Sequence, residues 1–258
     1  MSPADDVRAR GWALMEGLYA AGDLADFRAA IDRVHASFGA PSLTASDPIW
    51  LDDHVEVAGP GFAIYQLLRY APALGPRLFR DPALDALRAL LGPDMHLELV
   101  GAVMSDERRP FTEWESHLGG IDDERWRREG RRPRQREVRR VVHFLFLEDL
   151  TEATGPWRVL PRAIGDPVDP PASIHTLDWP GVVEITAPAG SVLLLEESVW
   201  HAVVPRREPG RRRFIGAYFA SPSAAPTVGR DTSLDALETD DARLASLLAN
   251  RPREPRRG

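Results

Sequence analysis

The 258-residue chain has no cysteine. That excludes disulfide staples, thiolate zinc sites, cysteine-held iron–sulfur clusters and a cysteine nucleophile. It has no lysine either, and all 32 basic residues are arginine. Schiff-base chemistry and the lysine of a Walker-type phosphate loop are therefore excluded. Positive charge is in deficit, with a net charge of −7, which argues against a general nucleic-acid binder. No apolar run approaches the length of a membrane span. The opening residues MSPADDVRARG lack a basic region followed by an apolar stretch, so the expectation is a cytoplasmic protein without membrane contact. What remains is ordinary for a globular chain: 43% hydrophobic and 28% charged residues, enough to bury a full core.

Hydrophobic periodicity divides the chain. Up to about residue 92 it predicts helices: Ala13 to Tyr19, Leu24 to Phe38, Phe62 to Tyr70, and Asp81 to Leu91 with Asp81-Pro82 as N-cap and first turn, with a loop from Pro41 to Pro60. From about 95 to 222 the pattern changes to short runs rich in Val and Leu. His96 to Met104, Val138 to Leu147, Trp157 to Leu160, Val182 to Ile185, Ser191 to Leu195 and Arg212 to Phe219 predict strands. Turn signals separate several of these runs, such as Gly155-Pro156, Ala189-Gly190 and Pro209-Gly210. Many short strands at such spacing suggest a sandwich or barrel. Leu234 to Leu248 returns to helical spacing, within a helical tail of about 231–249, and residues 251–258 form a tail. The whole reads as one domain over residues 1–250.

Seven histidines are present: His35, His54, His96, His117, His143, His175 and His201. His35 and His54 sit in helical and loop contexts that suggest packing or surface roles. His201 stands in Val199-Trp200-His201, downstream of Pro188-Ala189-Gly190 and a run of valine and leucine. Eleven positions beyond it lies Arg212, in Arg211-Arg212-Arg213-Phe214, with an Ala220-Ser221 ending. Upstream, Leu147-Glu148-Asp149 leads to Gly155-Pro156 and Val159-Leu160-Pro161. The order and spacing of these motifs, over about residues 95 to 222, resemble the phytanoyl-CoA dioxygenase-like branch of the Fe(II)/2-oxoglutarate-dependent oxygenases. The Gly-Ser-His that follows the proline there is replaced by Arg162-Ala163-Ile164.

The resemblance implies a mainly β fold with some α. Its core is a double-stranded β-helix (a cupin-like jelly roll) with an N-terminal helical layer. It implies Fe(II), 2-oxoglutarate and O₂, with His201 as the distal iron ligand and Arg212 on the 2-oxoglutarate carboxylate, Arg211 and Arg213 being alternatives in register. The chemistry is coherent, because imidazole suits Fe(II) and arginine takes a carboxylate in bidentate fashion. The proximal ligands are expected in a His-x-Asp pair, whose members point the same way on an extended segment. The candidate is Trp114-Glu115-Ser116-His117-Leu118-Gly119, with His117 84 residues before His201. Gly119 stands where the carboxylate is expected. In related halogenases a small residue there admits chloride to the iron, so Gly119 points to chlorination of a small molecule. The alternative is a hydroxylase in which Glu115, at i−2 on the same face, or Asp122 or Asp123 replaces the missing ligand. A third reading is a cupin-like binding protein for an anionic ligand, without redox chemistry.

His143 could hydrogen-bond 2-oxoglutarate or substrate inside the barrel, or be a buried core histidine. His96 could line the same cavity, and Trp114 could wall a substrate pocket. Residues 124–140 carry nine arginines and three glutamates, a net of +6. As a lid they would suit an anionic or carrier-tethered substrate; as a plain loop they would be solvated.

Overall fold

The computed structural model describes residues 1–119, 135–227 and 230–252. Asp122, Asp123 and most of the arginine-rich segment lie outside the described residues. Among the described residues, no helix is long and apolar enough to cross a membrane.

Two antiparallel sheets face each other. The larger runs β1 (Trp12–Met15), β9 (Val192–Glu196), β6 (Arg140–Phe146), β11 (Arg212–Ala220), β5 (His96–Ser105), β4 (Gly61–Ile64), β3 (Val55–Ala58) and β2 (Ile49–Trp50). The smaller runs β10 (His201–Val203), β7 (Trp157–Val159) and β8 (Val183–Ile185). Its free edge is extended by an antiparallel bridge between Glu115 and His201. This is the jelly-roll core expected from the pattern of short strands.

The central strands are covered on both faces, which is why β6 is a continuous buried run. Its alternation sorts two cores. Val142, Phe144 and Phe146 face the smaller sheet, with Leu193 and Leu195 of β9, Trp157, Val159 and Tyr218. Val141 and Leu145 face outward, with Val192, Leu194, Ile215, Ala217 and Phe219. Helix α2 (Ala21–Ser37) closes that outer face with Leu24, Phe27, Ala30, Ile31 and Val34, one stripe at helical spacing. Fully burying one such large side chain contributes roughly 1.5–3 kcal/mol. A β-bulge opposite Tyr218 and Phe219 skips Glu98. It reverses the facing of β5, so that Leu97 and Val100 both enter the outer core while Leu99 faces inward.

Several predicted elements differ. Trp12–Met15 is a strand, paired residue by residue with β9; sheet pairing overrides its helical spacing, and the helix lies earlier, at α1 (Pro3–Arg10). The predicted loop at 41–60 contains β2 and β3. Phe62 begins the run as β4, and only Leu67–Tyr70 (α3) is helical. Helix α4 spans Asp81–Leu91 as expected, but Arg80 holds the N-cap position and Asp81 is the first helical residue. In the tail the helix is short, α5 (Ala242–Ala249), capped by the Asp241 carboxylate, which accepts from the Leu244 amide.

Candidate metal centre

Glu115, His117 and His201 offer ligand atoms that all lie within 4.8 Å of one another. Adjacent ligands about 2.1 Å from one ion stand about 3 Å apart, so a small closure would complete the set. Backbone direction brings them together. Glu115 and His117 are two apart on an extended segment and share a face. The Glu115 amide donates to the His201 carbonyl and the His201 amide to the Glu115 carbonyl, each at 2.9 Å, which fixes the segment against β10.

Trp114 points the other way. It stacks on Trp179 at 4.3 Å, and its indole N–H donates to the Thr176 carbonyl at 3.0 Å. Its packing is with Trp179 and Trp200 behind the segment, not in a substrate pocket. Trp200 likewise turns away, donating to the Val168 carbonyl, while its neighbour His201 enters the barrel.

The histidine environment suits ligation. His201 is fully buried. Its Nδ1 lies 3.3 Å from the Val199 carbonyl, which directs the Nδ1 proton there and turns Nε2 toward Glu115. That Nε2 has no hydrogen-bond partner and stands 3.4 Å from Glu115 Oε1. Trp157 stacks on the His201 ring at 5.6 Å, and Phe144 packs near both imidazoles. The Tyr218 hydroxyl sits 3.2 Å from His117 Nδ1. Burial, and then the charge of His201, lower the His117 pKa to about 3 against the pull of Glu115. The ring is therefore neutral at physiological pH, the form that binds a metal. Enclosure raises the Glu115 carboxyl, but the adjacent His201, with His117 and Arg109, outweighs it and holds the pKa at about 2. Glu115 is thus an anion beside two imidazoles, a suitable donor set for a divalent cation.

Gly119 lies past the cluster in a turn with φ +88°. Its amide donates to Glu197 Oε2 at 2.9 Å. Glu197 also accepts from Arg140 at 3.0 Å and from Gln135, and Arg140 pairs with Glu98. Gly119 therefore ties the loop after His117 to a buried ion network.

Of the three adjacent arginines, Arg212 alone turns inward, on the face of β11 that carries Phe214 and Tyr218. Arg211 pairs with Asp32, and Arg213 with Asp32 and Glu148, on the outer side. Arg212 Nη1 donates to the Gly155 carbonyl at 2.8 Å and the Val204 carbonyl at 2.9 Å. Its Nε and Nη2 are buried without partners. His143 corrects the expectation of a cavity role. It projects from β6 to the outer face, against Phe79 and Phe219, because its neighbours Val142 and Phe144 take the inward positions. His96 borders a separate cavity with Glu98, Thr227 and Arg251, and His35 is held by the Pro41 carbonyl.

Sequence reasoning missed Arg109, which is buried with Nε and Nη1 unpartnered. One arginine among 32 carries no pattern. The position of Glu115 was legible, since the same i, i+2 rule that favours His-x-Asp serves Glu-x-His.

No family model and no curated protein matches the chain. Solved structures do. HygX from Streptomyces hygroscopicus, with nickel and 2-oxoglutarate bound, is 13% identical over 86% of each chain, with a TM-score of 0.60. The non-heme alpha ketoglutarate dependent carbocyclase SnoK from nogalamycin biosynthesis is 15% identical over 93% of this chain and 91% of its own, at 0.61. EctD from S. alaskensis with bound Fe is 17% identical over 88% of this chain and 80% of its own, at 0.61. At these identities the likeness is one of fold: the chain shares the jelly-roll architecture of proteins solved with iron, or with nickel and 2-oxoglutarate.

Proposed function

We propose that the chain is a non-haem Fe(II)- and 2-oxoglutarate-dependent oxygenase that functionalises a C–H bond of a small molecule. Glu115, His117 and His201 would hold the metal, and Arg212 would anchor the distal carboxylate of 2-oxoglutarate. The observation that carries this reading is the convergence of one carboxylate and two imidazoles, with the buried His201 Nε2 lacking any other partner. Two unpartnered nitrogens on buried Arg212 suit a carboxylate, because a desolvated donor without a partner is costly.

Iron so bound would supply the activation of O₂, converting 2-oxoglutarate and R–H to succinate, CO₂ and R–OH. The chain's own residues do the positioning. His201 is oriented by the Val199 carbonyl, and Trp157, Phe144 and Tyr218 wall the imidazoles and exclude water from that side. Glu115 bears on the choice between oxygen and chloride. With a carboxylate within ligand reach, a third protein ligand is available without residue 119, which supports hydroxylation over halogenation. A small-molecule substrate is supported by a solved structure of HygX with hygromycin B bound.

Anaerobic titration of metal-free protein with Fe(II) and 2-oxoglutarate tests this. The expected result is a visible charge-transfer band indifferent to chloride. Absence of the band with full-length folded protein would overturn the cofactor reading, and a band that shifts with chloride would restore the halogenase.

A further inference from the structure

The fold buries two arginines together without giving either a full set of partners. Arg109 and Arg212 are 5% and 2% exposed. Each has two nitrogens with no hydrogen bond, Nε and Nη1 on Arg109, Nε and Nη2 on Arg212. Topology brings them together. Arg212 pairs with Ser105 at the end of β5, and Arg109 follows four residues later in the turn closed by its own amide on the Asp106 carbonyl. Their charges repel, while Arg109 is drawn by Glu115.

A buried cation is ordinarily matched by an anion. Among the described residues, the acidic groups whose charge reaches this pair do not match it. Glu148 is engaged by Arg213, and Glu115 faces His201. Were Glu115 to bind a cation, Arg109 would lose its attraction as well. Nε and Nη2 of Arg212 share one edge of the guanidinium and form a fork of the kind a carboxylate satisfies in bidentate fashion, and Arg109 adds Nε and Nη1 as separate donors. Burial pushes Arg109 down to about 10, and burial followed by the charge of Arg109 lowers Arg212 well below its usual range.

We propose that Arg109 and Arg212 form a two-arginine clamp for a single carboxylate, the distal carboxylate of 2-oxoglutarate. The identity of that carboxylate rests on the function proposed above. Such a clamp would act without metal, as an anion site whose unmatched charge lowers stability until it is filled.

Thermal unfolding in EDTA, with glutarate as probe, tests the site apart from any metal. Wild-type Tm should rise with glutarate. Arg109→Met should raise the ligand-free Tm, since it removes an unmatched cation, and should abolish the rise. In Ni(II)-loaded protein, Arg109→Met should weaken 2-oxoglutarate binding about tenfold to a hundredfold, in the range of lost charge-assisted bonds. Its affinity for 2-oxovalerate, which lacks the distal carboxylate, should be unchanged. Arg109→Gln serves the same comparison if the methionine variant does not fold. A variant that binds 2-oxoglutarate like the wild type overturns the clamp, as does one with lowered ligand-free Tm and an intact glutarate shift. If wild-type Ni(II) protein binds no 2-oxoglutarate, the proposed function fails instead, and the glutarate arm still decides whether the two arginines hold a carboxylate.

Discussion

Gly155→Ala is the most informative remote perturbation. Gly155 has φ +85°, and a Cβ there would stand 2.4 Å from Arg212 Nη1 and 2.4 Å from the Val204 carbonyl oxygen. Neither neighbour can yield cheaply. Val204 O is backbone, and Arg212 Nη1 is held by that same carbonyl and by Gly155 itself. The guanidinium must swing away from the position in which Nε and Nη2 present their free N–H groups. Left-handed backbone costs an alanine roughly 1–2 kcal/mol. Displacing a charge-assisted pair costs a further 1.5–3 kcal/mol or so of ligand binding, which is about tenfold to a hundredfold in Kd. Gly181→Ala is the control, with φ +77° but its nearest contact only 4.0 Å away. Both variants bear the left-handed backbone cost and Gly155→Ala the clash besides, so Gly155→Ala should lose more stability in urea unfolding, while calorimetry with Ni(II)-loaded protein should show weakened 2-oxoglutarate binding in Gly155→Ala alone. Equal affinities in the two variants would refute the role given to Arg212.

Other expectations follow from the buried charges. Burial, and then the charge of Glu197, raise Glu196 to about 7 against Ser198 and Arg162. The folded state therefore keeps this proton longer than the unfolded chain, whose value is near 4.5. The contribution is fully favourable below about pH 4.5 and is lost as pH rises through 7, a difference of about 3 kcal/mol. Wild-type Tm should fall more steeply between pH 5 and pH 8 than that of Glu196→Gln, and parallel profiles would contradict the assignment. Glu197→Ala leaves Arg140 with one buried partner and frees the Gly119 amide; it should cost about 3–5 kcal/mol in denaturant unfolding, and a loss under 1 kcal/mol would show the network to be dispensable. Gly119→Asp places a side chain at φ +88° and should cost about 1–2 kcal/mol without creating a new metal ligand. A Gly119→Asp variant with tightened iron affinity would favour the halide-position reading instead.

The sequence made the core legible where burial on both faces leaves a simple trace, as in the runs at 140–146 and 192–196. It misled where pairing partners lie far away. Trp12–Met15 has helical spacing, and only its ladder with β9, about 180 residues on, makes it a strand. The site divides similarly. His117, His201 and Arg212 come from local motifs, and alternation on β11 selects Arg212 from its two neighbours. Gly119 stands out when the pair is read forward from His117, whereas the carboxylate that meets the two imidazoles among the described residues, Glu115, precedes it. His143 could not be placed because alternation gives two faces without saying which is the interior. Arg109 was invisible, since its meaning lies in burial beside Arg212.

The proposed chemistry turns on Glu115 as the third ligand. The direct measurement is equilibrium Fe(II) binding, anaerobically, by wild type and by Glu115→Ala, with unfolding curves to confirm that both are folded. The expected result is one ion per wild-type chain and at least about a hundredfold weaker binding in the variant, with loss of the 2-oxoglutarate charge-transfer band. Undiminished Fe(II) affinity in Glu115→Ala, with a band that then responds to chloride, would contradict it and return the open coordination position to Gly119.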